Sequence, residues 1–361
     1  MHINPNLFII ARPPHQIVWN YKTHTQYELN VHYAKRLTEL IDNPDSFDAN
    51  ASMDAEFLAS GIISATKHTT LDWNWDELSK IFHIGTKDIP YEHEIQDIQE
   101  WSVHYLAHCD EVLKKPAPDF LSEPPPTPPL IHLPPPLSAG SLKMSLTHSL
   151  ISRKTCRSFS EDEISLNHAS TLLYLSLGYL KEREQDIDES IPETLRSRRS
   201  SPSGGGLNAC DGFIYARRIK GIDPGIYRYH PNHHALSLTS PLPAKPLGLF
   251  LAGQHFINAL PFGVFLTCRF DKLWWKYEHS RAYRMAYVET GHISQTFQLI
   301  ATALGLKTWL TGAMADERIE DLLNLENSPE QVLFFVGCGK GDSEAQCKEL
   351  RTLIEERSVQ Q

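Results

Sequence analysis

Six cysteines in 361 residues, at 109, 156, 210, 268, 338 and 347, are too few and too scattered to form a CxxC pair. A disulfide framework or a zinc site needs closer, more regular spacing, so a reduced cytosolic interior is expected. No apolar run approaches the ~18 residues needed to cross a bilayer. Between Met1 and Ile10 there is no basic stretch leading into a long apolar one. Neither a membrane span nor a signal peptide is predicted, and the chain reads as soluble and cytoplasmic. Cation excess is missing as well. A formal net charge of −10 argues against a nucleic-acid partner, which needs a basic footprint. The chain has no GxxxxGK[ST], no GxGxxG and no HExxH. A P-loop, a dinucleotide fold of the usual kind and a metalloprotease zinc site are therefore unsupported. His233-His234 sits in a predicted turn and reads as surface, and no metal ligands are predicted.

A hydrophobic content of 41% with 22% charged residues suits a sizeable soluble core, and the length suggests two domains. The boundary is marked by proline. Pro116 to Pro136 includes Pro124-Pro125-Pro126-Thr127-Pro128-Pro129 and Pro134-Pro135-Pro136. Proline lacks the backbone N–H and fixes φ, which excludes helix and central strand and leaves an extended strap. The expected organisation is a small winged-helix-like domain at 1–115, a Pro-rich linker at 116–138 and a larger domain at 139–361. In the small domain, Leu7 to Ile10 reads as a strand, and residues 28–42 and Asp54 to Thr66 read as helices. Asp72 or Asn74 would cap a further helix that turns Trp75, Leu78, Ile81 and Phe82 toward a core.

In the larger domain a helix begins at Ser145 and runs into Arg153 to Phe159. Ser160 and Glu163 are spaced as a capping box for the next one, with Leu172 to Leu180 as its apolar continuation. Strands are expected over Gly212–Arg218, Gly225–His230, Phe262–Phe270, Thr308–Leu310 and Gln331–Gly337. The longest helix spans Arg281 to Leu304 and stops at Gly305. Helices and strands mix without a βαβ rhythm, which predicts an α+β fold.

Three stretches suit a planar, phosphorylated ligand. Arg153-Lys154-Thr155-Cys156-Arg157-Ser158 offers guanidinium groups for a phosphate. Ser201-Pro202-Ser203-Gly204-Gly205-Gly206 lets backbone N–H groups come close. Gly337-Cys338-Gly339-Lys340-Gly341 adds glycines and a cation. A Lys276-Tyr277 pair precedes the long helix. Both side chains ordinarily titrate near ~10, so either needs its surroundings to act as a base at neutral pH.

Taken in order with Gly225-Ile226-Tyr227-Arg228-Tyr229, Arg281-Ala282-Tyr283-Arg284 and Gly291-His292-Ile293-Ser294-Gln295, these stretches resemble the FMN-dependent nitroreductase superfamily. Within it they are most similar to the SagB-type dehydrogenases, over roughly residues 140–345. Trp73 to Thr86 also resembles the N-terminal extension of longer members. The resemblance implies an α+β fold with a central, mostly antiparallel sheet flanked by helices, FMN as cofactor, and a homodimer with flavin at its interface. It implies that Arg153, Arg157 and Lys340 hold the FMN phosphate. Ser201, Ser203 and Gly204 would lie along the isoalloxazine, and Gly312 and Ala313 would reach it through their backbones. Lys276 and Tyr277 match the catalytic pair.

The implied reaction is oxidation of thiazolines or oxazolines to azoles in a ribosomally made peptide. That chemistry removes a Cα proton and a hydride, so it needs a base on one side and an electron acceptor on the other. The base would be a neutral Lys276, or a Tyr277 phenolate stabilised by the Lys276 ammonium. Dioxygen is the expected reoxidant, since no nicotinamide signature is visible. The small domain would recognise the precursor peptide or a cyclodehydratase partner, by pairing a leader segment to a sheet edge. The chain departs from the family at Leu207-Asn208-Ala209-Cys210, where a His-Pro and an acidic residue often stand; Asp211 is the nearest acid here. An NAD(P)H-dependent nitro or quinone reductase, another flavin oxidation of a peptide-derived product and an idle flavoprotein scaffold are the alternatives.

Overall fold

A computed structural model describes residues 1–68, 72–88, 97–116, 126, 128–186, 196–342, 344 and 346–359. The chain divides into two compact units, Met1–Glu94 and Ile95–Gln361. Much of the proline strap (117–125 and 127) lies outside the described residues. The division falls before residue 115, so helix Ile98–Lys114 counts with the second unit.

The first unit opens with strand β1 (His2–Ile3) and a meander, β2 (Leu7–Arg12), β3 (His15–Asn20) and β4 (Thr25–Leu29). Helix α1 (Val31–Asp42) is capped by Asn30, whose side chain accepts from the N–H groups of His32 and Tyr33. The helix expected from Asp54 to Thr66 is two elements. Helix α2 (Ser52–Ala59) ends ahead of Gly61, at φ 73°, and the chain turns into β5 (Ile63–Ser64), which pairs with β1. The core joins Val18, Leu29, Leu37, Leu40, Phe57, Ile62 and Ile63. Helix α3 (Glu77–Gly85) is capped by Asp76 rather than Asp72 or Asn74, because only Asp76 places its carboxylate on the Ser79 N–H. Its predicted core face is turned outward: Trp75 and Leu78 are 76% and 77% exposed.

The second unit contains helix α4 (Ile98–Lys114) and strand β6 (Leu130–His132), then α5 (Leu146–Ser152) and α6 (Leu166–Leu177). Strands β7 (Cys210–Ala216), β8 (Gly225–His230) and β9 (Ala235–Pro241) follow. After them come α7 (Leu247–Phe250), β10 (Phe262–Arg269), α8 (Phe270–Lys276) and α9 (Tyr283–Ala303). The chain finishes with β11 (Lys307–Thr311), α10 (Asp316–Leu323), β12 (Glu330–Gly339) and α11 (Lys348–Val359). Seven strands form one sheet in the order β11-β12-β10-β7-β8-β9-β6, antiparallel at every pairing.

Strand alternation sorts its side chains. Val264, Leu266 and Cys268 join one core with residues of α6 and α9 (Leu172, Leu173, Phe297, Ala301). Phe265, Phe213 and Phe335 join the other, with Leu247 of α7 and Ile319 and Leu323 of α10. A sheet covered on both faces explains why every residue of β10 is buried. The α+β expectation with a mostly antiparallel sheet is met. β6, flanked by Pro129 and Pro134, lies at the sheet edge.

Three local expectations change. Helix α5 stops at Ser152, freeing Arg153 to Phe159 to run extended beside the sheet. The Ser160–Glu163 capping box opens no helix: the Ser160 hydroxyl donates to Asp162 instead, and Ser165 caps α6. His234 is half-buried, its ring sharing hydrogen bonds with Ser170 and Tyr229 at 2.8 and 2.9 Å. It ties β9 to α6. Among the described residues no helix is long and apolar enough to cross a membrane.

Candidate active site

Helix α9 is the spine on which the separated motifs meet. Its buried face carries polar residues at helical spacing, Glu289, Thr290, Ser294, Gln298 and Thr302, and two of them, Glu289 and Gln298, reach the predicted ligand-binding stretches. Toward its start, Met285 packs under Gly204. The Ser203 hydroxyl donates to Glu289 Oε2 at 2.7 Å, and the Cys210 N–H donates to Glu289 Oε1 at 3.0 Å. One buried carboxylate thus clamps both ends of the serine-glycine loop. Ser203 Oγ also accepts from the Asn208 N–H at 2.8 Å. Further along, Ser201 and Thr296 share a hydroxyl–hydroxyl bond of 2.9 Å. Near the helix end, Gln298 Oε1 accepts from Arg153 at 3.4 Å and from the Thr308 hydroxyl at 3.3 Å.

The extended segment after α5 brings the cations alongside the sheet. Thr155 bridges Thr308 in parallel and Phe159 bridges Gly341. The Cys156 N–H donates to Thr308 O at 2.8 Å and the Ser160 N–H to Lys340 O at 2.9 Å. Gly341 permits this approach: a Cβ there would lie 2.8 Å from Cys156 Sγ. Arg153, Lys154, Arg157 and Lys340 are thereby carried by one β-bridged corner where β11 begins and β12 ends. The two arginines look different ways. Arg153 meets α9, whereas Arg157 lines a cavity of about 650 Å³ with Phe159, Glu161, Arg217 and His255.

The Lys-Tyr pair closes over the glycine loop. Lys276 Nζ donates to Gly205 O at 3.1 Å and stands 5.9 Å from the Tyr277 ring centre. Gly205 has φ 62°, and a Cβ there would fall 2.5 Å from the Tyr277 hydroxyl and 2.8 Å from Lys276 Nζ. Only glycine combines that left-handed backbone with that contact. Burial, and secondarily the neighbouring Cys109 thiol of α4, push the Tyr277 phenol upward. A phenolate at neutral pH is therefore disfavoured. Helix α4 is held nearby by Lys115, which pairs with Glu278 at 2.5 Å.

Asp211, the nearest acid to the family departure, lies in a buried ion cluster. Arg199 and Arg228 reach it at 3.3 and 3.2 Å, and Arg228 also pairs with Glu330 at 3.0 Å. Burial alone would raise the Asp211 carboxyl, but Lys272, Arg228, Arg199 and Arg269 outweigh it and hold it at about 2. Burial pushes Glu330 up. The cluster anchors the loop, since Arg199 also donates to the carbonyl of Cys210 and Lys272 to that of Asn208. Gly312 and Ala313 follow β11 directly, and the Ala313 N–H is already taken by Thr311 Oγ1 at 2.9 Å.

Sequence reasoning missed Glu289, Thr296 and Gln298. Their signal was present, as polar residues recurring on the apolar stripe of the longest helix, but their partners lie 86, 95 and 145 residues away.

Comparison with known proteins agrees with this arrangement. MJ1384 of Methanocaldococcus jannaschii, named as a nitroreductase, is 25% identical over 188 residues, covering 52% of this chain and 88% of that one. The microcin B17-processing protein McbC of Escherichia coli is 29% identical over 155 residues, covering 40% of this chain and 57% of McbC. The chain thus spans most of the first relative and little more than half of the second. A solved nitroreductase-type structure from Anabaena variabilis superposes with TM-score 0.54 at 20% identity, covering 77% of this chain and 50% of that one, which speaks to fold alone. The nitroreductase family model matches residues 150–340, the stretch that holds six of the seven sheet strands, α9, the serine-glycine loop and the Lys-Tyr pair, and the chain belongs to the nitroreductase family.

Proposed function

We propose that this chain is a cytoplasmic FMN-dependent dehydrogenase of the SagB type that oxidises thiazolines or oxazolines to azoles in a ribosomally made peptide. The observation that carries the reading is the seat of Lys276 and Tyr277 on Gly205, within a loop clamped to α9. The resemblance to a microcin-processing protein supports the peptide substrate.

The residues fit the cofactor. Lys340 and Arg153 stand on the β-bridged corner and would hold the phosphate, with Arg157 on the same segment. A bare glycine turn offers backbone where Ser201, Ser203 and Gly204 would run beside the ring system, and Gly312 and Ala313, just past β11, would reach it through their backbones. Ser203 serves this indirectly, because its hydroxyl is committed to Glu289. Bound FMN would supply a two-electron acceptor for the hydride leaving the heterocycle.

Lys276, held by the Gly205 carbonyl, would take the Cα proton. Tyr277, whose phenol burial pushes up, keeps its proton and would offer it as a hydrogen-bond donor to the heterocycle. Exposed Leu146, Leu150 and Ile151 on α5, with Tyr287 and Val288 on α9, give the homodimer an apolar face to bury. The first unit would engage the precursor peptide or a cyclodehydratase partner.

The test is the purified full-length chain. It should carry flavin, seen in its visible spectrum, and convert an azoline peptide to the azole; Lys276→Ala should keep the flavin and lose conversion by about 10²–10⁴-fold. A colourless chain that takes up no FMN would end this reading. Rapid anaerobic bleaching by NADPH without peptide would favour the reductase alternative. Undiminished conversion in Lys276→Ala and Tyr277→Phe would favour the scaffold.

A further inference from the structure

Beside the serine-glycine loop lie two buried nucleophiles, Cys210 and Cys268, that the proposed reaction does not use. Cys210 is the first residue of β7 and closes the loop; Cys268 stands opposite it on β10. Both are fully buried, in the core shared with α9. One position further along the same register, the Arg269 N–H donates to the Ala209 carbonyl at 2.8 Å. Bonded and non-bonded pairs alternate along an antiparallel ladder, so Cys210 and Cys268 form a non-hydrogen-bonded pair. Such pairs hold their Cα atoms about 4.5 Å apart with the side chains on one face. A disulfide spans roughly 4.4–6.8 Å between Cα atoms. The Cys210 thiol meets that of Cys268, and its Sγ also donates to Ala286 O of α9 at 3.8 Å.

The two cysteines are not equally free to move. Cys268 has strands on both sides, pairing with Gln331 of β12 as well as with Cys210. Cys210 has the loop before it. Its backbone belongs to the loop's clamp: the N–H donates to Glu289 Oε1 at 3.0 Å, and the carbonyl accepts from Arg199. Bonded sulfurs sit about 2 Å apart, much closer than two thiols in contact. Closing a bridge therefore draws Cys210 rather than Cys268. Its sulfur leaves Ala286 O, and the backbone that Glu289 and Arg199 hold moves with it.

We infer that Cys210 and Cys268 form a reversible cross-strand disulfide that loosens the serine-glycine loop and makes the site sensitive to peroxide. Two thiols and one hydrogen peroxide give one disulfide and two waters. One sulfur takes an oxygen as the O–O bond breaks, releasing water and leaving a sulfenic acid; the other sulfur then displaces that oxygen as the second water. The thiols lose two electrons to the peroxide oxygens, and both thiol protons leave in the waters. Dioxygen becomes hydrogen peroxide on taking two electrons, so the feedback on turnover rests on the flavin oxidation proposed above, whereas the bridge itself does not. Burial pushes the Cys210 thiol up, which slows the first step and leaves the pair reduced at low peroxide. A transient bridge of this kind suits a reducing compartment.

The test treats the full chain, supplied with FMN, with hydrogen peroxide and maps its thiols by mass spectrometry without reduction. A Cys210–Cys268 bridge is expected, with two of the six thiols lost. Flavin affinity should fall about tenfold, the weight of one buried hydrogen bond. Tryptic cleavage at Arg198 and Arg199 should quicken, and dithiothreitol should reverse both changes. Cys268→Ala and Cys268→Ser should bind flavin as the native chain does and lose the response to peroxide. The inference is overturned if Cys210 and Cys268 stay reduced while the less buried Cys109 and Cys347 oxidise. A bridge that alters neither flavin affinity nor cleavage would overturn it too, as would an undiminished response in the Cys268 variants. Should those variants fail to fold, the thiol map and cleavage rate of the native chain still decide. Neither readout needs flavin, so a chain that binds none sinks the redox reading and leaves this one to its own result.

Discussion

Gly205 joins a left-handed backbone to a crowded site, because its missing side chain is where Tyr277 and Lys276 sit. Gly205→Ala should displace both and strain a left-handed turn by about 1–2 kcal/mol. Conversion should fall at least tenfold while the melting temperature moves only a few degrees, checked by kinetics beside a thermal scan. Tyr277→Phe tests the raised phenol. If Tyr277 acts as a protonated donor, the variant loses rate without shifting the pH at which activity rises; a shift of that limb would make Tyr277 the base instead. Asp211 offers a test with a definite sign. Its carboxyl, depressed to about 2, contributes stability that is present above the ordinary carboxylate range near 4 and is lost as pH falls toward 2. Asp211→Asn leaves buried arginines short of a partner, so about 3–5 kcal/mol should be lost at neutral pH. Urea midpoints should show that deficit shrinking between pH 4 and 2.

At the scale of elements, the loop from Arg199 to Asp211 is regular only in its fastenings. Glu289→Ala removes the acceptor for both the Ser203 hydroxyl and the buried Cys210 N–H. Unpaired buried donors cost about 1–3 kcal/mol each. The variant should therefore denature earlier and bind FMN more weakly, read by urea titration and flavin release. The elements themselves were unevenly legible. Strands β7, β8 and β10 and helix α9 announce themselves by apolar runs and by Gly305 at the helix end. The α2–β5 break did not, since a Gly61 turn looks like any glycine within an apolar stretch. Helix α3 misled because Trp75, Leu78 and Phe82 have the spacing of a core face, and spacing does not say whether a core is there.

For the whole molecule, the exposed apolar residues of α5 and α9 predict association. Ile151→Glu with Val288→Glu should convert a dimer to a monomer in light scattering; a native chain already monomeric at micromolar concentration would contradict the prediction. Local chemistry was readable in the chain itself: a double-sided core strand from unbroken burial-prone residues, a glycine turn, a cationic stretch and a Lys-Tyr pair, all in an order that carries a family likeness. These depend on neighbours within a few residues, and the linear code states them directly. What only the tertiary structure decided is how they converge. The clamp by Glu289, the tie of Arg153 to Gln298, the capture of Asp211 among cations and the contact of Lys276 with Gly205 join residues from 12 to 145 positions apart. Such pairings are set by packing a long helix against a sheet, and no local pattern encodes them.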